Sequence, residues 1–162
     1  MKKLVYRILI QTAFILLFFV FKSDSQNSYK YSVNLNKVTN DELKVELIAP
    51  KISKPEIIFY LPKIVPGTYN ISDFGKFIHN VKAYDKLGKL LPVMQLDTNS
   101  WKIKKANQLY KLVYDVEDSW DSKLKHDVYS MAGTNFEEGE NFSINTCGLF
   151  GYFDGMKKIP FE

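Results

Sequence analysis

Leu61-Pro62-Lys63-Ile64-Val65-Pro66-Gly67-Thr68-Tyr69-Asn70-Ile71-Ser72-Asp73-Phe74-Gly75 is the stretch on which the reading of this chain turns. Leu61-Pro62 reads as a strand end, because proline cannot donate to a ladder. Pro66 fixes φ for the first central position of a turn, and Gly67 supplies the positive φ that a type II turn requires next. Thr68 and Tyr69 then lead through Asp73 and Phe74 into a short aromatic segment, so the spacing predicts a rigid turn presenting a tyrosine.

On either side of this stretch the dominant pattern is period two. Tyr29, Tyr31, Val33 and Leu35 alternate with Lys30, Ser32, Asn34 and Asn36, the signature of a half-buried strand. Thr39-Asn40-Asp41 is turn chemistry, and Leu43, Val45 and Leu47 resume the alternation, which predicts a hairpin. Further strands are expected over Glu56 to Leu61, Ile78 to Tyr84, Leu90 to Leu96, Trp101 to Lys104 and Leu109 to Val116. Asp85-Lys86-Leu87-Gly88 marks a second hairpin turn, and Pro92 confines the strand that follows to an edge or an end. The last third holds apolar or aromatic pieces over His126 to Met131, Phe142 to Asn145 and Leu149 to Phe153. No helical stripe of three turns is present after the amino-terminal segment; Ser72 to Val81 allows at most a short helical turn. The fold class is therefore all-β, an antiparallel β-sandwich or sheet-rich domain.

Residues 1–25 read differently. Lys2, Lys3 and Arg7 precede an apolar run from Ile8 to Phe21, and Ser23-Asp24-Ser25 supplies small residues before Gln26. This is the layout of a cleaved signal peptide, since a run of about 14 apolar residues falls short of the roughly 20 that span a bilayer. The expected location is exported, periplasmic or extracellular, with no stable membrane anchor after cleavage. Residues 26–162 then form one domain. The leader carries Lys2, Lys3, Arg7 and Lys22 against Asp24, so three of the four net positive charges belong to it and +1 remains. A near-neutral domain does not point to nucleic acid.

Candidates for chemistry are few. Cys147 is the single cysteine, so no internal disulfide can hold an exported chain. Its setting in Ile144-Asn145-Thr146-Cys147-Gly148 reads as a strand end with a buried structural thiol rather than a nucleophile. A zinc hydrolase needs ligands at helix or strand spacing. His79 and His126, the two histidines, have no partner at such spacing and read as structural or surface residues. Asp115, Glu117, Asp118, Asp121 and Asp127 lack the glycine and terminal glutamate of a calcium loop, and Glu137, Glu138 and Glu140 read as a solvated loop. The sequence assigns no catalytic and no metal-binding residue to this chain. A residual activity through Cys147 or His126 would have to survive that reading. The abundant aromatics, among them Trp101, Trp120, Tyr69, Phe74, Phe77, Tyr129, Phe142, Phe150, Tyr152 and Phe153, fit core packing, or a platform that stacks on sugars.

Taken in order, Tyr29 to Val33, Leu61 to Tyr69 running into Asp73-Phe74-Gly75-Lys76-Phe77, Val81 to Asp85 with Gly88, the Trp101 strand, Leu112 to Val116, and Phe150-Gly151-Tyr152-Phe153-Asp154-Gly155 resemble the amino-terminal domain of the M61 peptidases. These are glycyl aminopeptidase-like zinc enzymes that also carry a PDZ domain. The resemblance covers roughly residues 28 to 162. Two positions depart from it: many members have tryptophan where Ile64 stands and arginine where Lys76 stands, and lysine lacks the bidentate fork of arginine. In the family a thermolysin-like domain with a His-Glu-x-x-His zinc site follows, and this chain reaches Pro160-Phe161-Glu162 about where that domain is expected to begin. The resemblance thus implies a non-catalytic β domain of an exported aminopeptidase that packs on a catalytic domain absent from this chain, an M61-type catalytic domain being its partner if another chain supplies it. No cofactor is expected here; zinc belongs to the missing domain. Pro66, Gly67, Thr68, Tyr69, Asp73 and Phe74 are the candidate interdomain or cleft contacts, with the core of its own domain as the other place for Tyr69. A self-standing secreted module binding peptides or glycans is the alternative.

Overall fold

The computed structural model describes residues 27–120, 128 and 132–162. The signal peptide expected over residues 1–25 lies outside the described residues, as do Asp121, His126, Asp127 and Tyr129, so the expectations placed there stay as expectations. The elements in chain order are β1 (Lys30–Thr39), β2 (Glu42–Ile48), β3 (Glu56–Tyr60), β4 (Ile78–Tyr84), β5 (Leu90–Leu91), β6 (Val93–Asp97), β7 (Ser100–Lys104), β8 (Lys111–Glu117), β9 (Asn135–Glu137), β10 (Asn141–Ser143) and β11 (Tyr152–Phe153). They form a five-stranded sheet in the order β1-β2-β8-β4-β5, a four-stranded sheet in the order β11-β3-β7-β6, and a separate β9–β10 hairpin. Every strand pair within these sheets is antiparallel.

The alternation read from the sequence is the alternation that buries the core. Leu43, Val45 and Leu47 of β2 and Leu112, Tyr114 and Val116 of β8 point inward from the larger sheet. Ile57 and Phe59 of β3, with Trp101 and Ile103 of β7, meet them from the smaller one. Contact across the layers is direct, with the Phe59 ring 5.8 Å from the Tyr114 ring, and within its own sheet Phe59 lies 5.4 Å from Phe153. Asn40 and Asp41 take φ of 55° and 63° between paired Thr39 and Glu42, the two left-handed residues of a tight hairpin that matches strand twist. At the other predicted hairpin, Asp85 Oδ1 accepts from the Leu87 and Lys89 amides, and Gly88 takes φ of 77°.

Three elements differ from the sequence reading. Leu90 to Leu96 is not one strand. Leu91 pairs with Ala83 in the larger sheet, whereas Val93 pairs with Ile103 in the smaller. Pro92 stands at the crossing, on the edge of both sheets, where its missing N–H costs no ladder bond. β4 carries a bulge: His79 faces Asp115 and Lys82 faces Val113, with Asn80 at φ 54°. The extra residue switches the inward positions from even-numbered Ile78 to odd-numbered Ala83. Finally, Thr146–Leu149 is a helical turn rather than a strand end, because the Asn145 side chain accepts from the Cys147 amide as an N-cap. Cys147 is accordingly half-buried instead of buried, and only Tyr152–Phe153 of the expected Leu149 to Phe153 piece is strand.

The strand directions give the sandwich two distinct ends. One gathers the starts of β3, β7's end, and the hairpin around Gly88. The other gathers the hairpin turn at Asn40, the end of β3, the start of β7, the start of β4 and the helical turn at Thr146–Leu149. The opening motif, residues 61–75, belongs wholly to this second end.

Candidate functional site

β3 ends at Tyr60, and the chain then leaves the sheet and returns at Phe74–Phe77, a single 3₁₀ turn that feeds β4. Between them the Lys63 carbonyl accepts from both Ser72 N–H at 2.8 Å and Asp73 N–H at 3.0 Å. One acceptor thus draws together the two feet of a compact surface loop. At the tip, Thr68 N–H and Thr68 Oγ1 both donate to the Val65 carbonyl, at 3.2 and 2.9 Å, and Gly67 takes φ of 92°. This is the type II turn that Pro66-Gly67 predicted.

The feet rest on Asn99, a residue that no motif or spacing singles out. Asn99 is buried; its carbonyl accepts from Leu61 N–H at 2.9 Å and its Oδ1 from Gly75 N–H at 3.0 Å. Its Nδ2 donates to Asp73 Oδ1 at 2.7 Å, and its own N–H donates to Asp97 Oδ1 at 2.8 Å. These bonds to Asn99 and the neighbouring Ser100 hold the Asp97 carboxyl below the usual carboxylate range. Gly75 is obligatory at this crossing: a Cβ there would lie 2.0 Å from the Thr98 carbonyl oxygen and 2.7 Å from Asn99 Cα. Phe74 and Phe77 are buried, and Phe74 lies against Gly148 of the helical turn. Lys76 places its ammonium 5.1 Å from the centre of the Phe77 ring.

The structure therefore separates the predicted contact residues. Phe74 belongs to the interior and Asp73 to the base of the loop, while Pro66, Gly67 and Tyr69 are exposed and Thr68 is partly so. Tyr69 is 100% exposed at φ 55°, so the core of its own domain is excluded as its place. Ile64 and Ile71 are exposed beside it in sequence, at 48% and 64%. An apolar tip on a well-tied base is a surface with no intramolecular use. Leu96, Trp120 and Ile144, also exposed, lie at the same end of the sandwich.

Other candidates are committed elsewhere. Asp115 pairs with Lys44 and accepts from Asn80, and Glu117 Oε2 lies 3.0 Å from His79 Nε2. Asp118 is buried and accepts from the Trp120 and Phe136 amides. Among the described residues no group of three or more His, Cys, Asp or Glu side chains could hold a metal ion. Burial raises the Cys147 thiol above its ordinary value, which disfavours the thiolate a nucleophile needs. A polar groove of about 680 Å³ crosses the outer face of β2, β8 and β4. Four of its charged side chains meet in the pairs Lys44–Asp115 and Lys111–Glu46.

The model of the peptidase M61 N-terminal domain matches residues 30–162. The chain belongs to that family. Among solved structures it resembles an aminopeptidase N family protein from Idiomarina loihiensis, at a TM-score of 0.62 and 23% identity over 82% of this chain. At that identity the likeness speaks for the fold. The match spans 21% of that protein's length. No curated protein matches the chain. The M61 amino-terminal assignment accounts for the order of motifs around Leu61 to Gly75.

Proposed function

We propose that residues 26–162 act as the non-catalytic amino-terminal module of an exported M61-type aminopeptidase, docking on the zinc-bearing M61 catalytic domain. The observation that carries this reading is Tyr69, wholly exposed between exposed Ile64 and Ile71 on a loop whose feet are fixed by Lys63 and Asn99. An apolar side chain held out from a rigid base loses little further freedom on binding, which is what a permanent interdomain contact favours. Ile64 stands where many family members have tryptophan, a residue type common at the centre of interfaces. The module would help wall the substrate cleft, and chemistry would remain with the partner.

The test is calorimetric titration of the chain with an M61 catalytic domain encoded in the same genome. Binding that weakens by about tenfold in Tyr69→Ala, a loss of about 1.4 kcal/mol, supports the reading. Equal affinity of wild type and Tyr69→Ala removes the loop from the contact. Binding of glycans or short peptides with no affinity for the catalytic domain would favour the self-standing module instead.

A further inference from the structure

The outer face of the larger sheet carries a groove that the loop at residues 61–75 does not reach. It holds about 680 Å³ across β2, β8 and β4, within the size range of small-molecule sites. A second groove of about 540 Å³ meets it at Lys44, Asn80 and Asp115 and runs on past Ser32 and Asn34 of β1. Together they make one extended polar trough.

The trough is held in shape by its own bonds. At its middle Asp115 pairs with Lys44 and accepts from Asn80 Nδ2 at 3.0 Å. Beside the Gly88 hairpin, Tyr110 N–H donates to the Tyr84 carbonyl at 2.9 Å. Lys111 Nζ lies 5.8 Å from the centre of the Tyr84 ring and 3.5 Å from Glu46 Oε2. The far rim is β1, which is clasped at its start. Tyr29 N–H donates to the Pro160 carbonyl at 2.8 Å, Glu162 N–H to the Tyr29 carbonyl at 2.8 Å, and Tyr31 N–H to the Glu162 carbonyl at 2.9 Å. Tyr29 and Phe161 form a parallel bridge, with their rings stacked 4.5 Å apart.

Two cations are left over. Four lysines and three carboxylates line the first groove, a surplus of one positive charge. Lys44 and Lys111 are paired, whereas Lys82 and Lys86 are exposed and form no ion pair with a described residue. Asp85, next to Lys86, turns its Oδ1 to the Leu87 and Lys89 amides. Lys82 and Tyr84 share the outer face of β4, two residues apart, and Lys86 follows in the hairpin.

This surface offers little to a peptide. β2 and β8 have neighbours on both edges, so the floor presents no open backbone edge for strand addition. Val113 is the one aliphatic side chain among the described residues that line the first groove, so an apolar anchor finds no pocket. Amide, ammonium and carboxylate groups beside two tyrosines suit a sugar instead. Its hydroxyls both give and accept hydrogen bonds, and its C–H face lies against an aromatic ring. The unpaired lysines add a demand for negative charge.

We propose that this trough binds an acidic oligosaccharide, with Lys82 and Lys86 meeting a sugar carboxylate and Tyr84 and Tyr110 lying against sugar rings. The site is independent of the docking reading, since no residue of the 61–75 loop lines it. Titration of the chain with tetragalacturonate, followed by amide NMR shifts, tests this. The expected result is saturable shifts at the Tyr84, Lys86 and Val113 amides. Affinity should fall about tenfold in the Lys82→Gln, Lys86→Gln double variant and stay unchanged in Tyr69→Ala. Both lysines are exposed, so the double variant should keep the wild-type spectrum away from the groove. Absence of saturable shifts, or equal affinity in the double variant, overturns the proposal. Neutral cellotetraose bound as tightly overturns the acidic ligand. A tetraglutamate peptide that shifts the same amides at lower concentration makes an acidic peptide the occupant and overturns the saccharide.

Discussion

The base and the tip of the 61–75 stretch are a few residues apart and obey opposite rules. At the base, Phe74 and Gly75 are buried, and Asn99 satisfies backbone groups from two directions. At the tip, Ile64, Tyr69 and Ile71 offer apolar surface to solvent although the turn beneath them is well bonded. The contrast teaches that rigidity and burial are separate provisions here. The fold invests its hydrogen bonds in holding the loop still, yet takes no core from its largest side chain.

That contrast breaks most visibly at the base. Phe74→Ala should destabilise the domain by about 4 kcal/mol, through lost burial and a cavity against Gly148, read as a fall in the denaturant midpoint. Asn99→Ala should cost about 2 kcal/mol, because the Gly75 amide is left without its partner and Asp73 loses a donor; thermal unfolding would report it. A cost below about 0.5 kcal/mol in either would mean that the base does not carry the loop.

The aromatic belt gives a smaller effect with a defined pH window. Burial raises the phenols of Tyr29, Tyr31 and Tyr114 above their ordinary value. Each stays protonated in the folded chain where the unfolded chain ionises. Their contribution is therefore full below about pH 10 and is lost as pH rises from there toward the folded values. Tyr114→Phe removes the hydrogen bond to the Leu149 carbonyl at about 1 kcal/mol and should flatten the alkaline decline measured by denaturation at stepped pH. The tip gives the smallest effect: Tyr69→Ala should leave stability within about 0.5 kcal/mol. A larger loss would blur the distinction between base and tip.

How much of this was legible in the sequence follows from where each signal is stored. Alternation at Leu43, Val45 and Leu47, turn chemistry at Asn40-Asp41 and the Pro66-Gly67 turn are local, and the structure realises each of them. Pro92 announced an edge, but nothing local says that the chain leaves one sheet for another there; that depends on both neighbours, Ala83 and Ile103. Thr146-Cys147-Gly148 has the look of strand residues, and a single capping bond from Asn145 overrides it. Nothing local separates Phe74 from Tyr69, because burial is a tertiary property: five positions along the chain take a fully exposed ring to a core one. Asn99 was silent, since a buried asparagine and a turn asparagine are the same letter. Asp97-Thr98-Asn99, a polar run between two strands, was the one trace it left.

The pairing of Tyr29 and Tyr31 with Pro160 to Glu162 also has a mechanical meaning. The two segments run parallel, so tension applied at the amino side of residue 29 and the carboxyl side of residue 162 pulls them past one another. Three backbone bonds and the stacked rings of Tyr29 and Phe161 then share the load at once, instead of parting in sequence. Such a clasp yields late under force, so a pull between its two ends should meet the clasp before it reaches the sandwich.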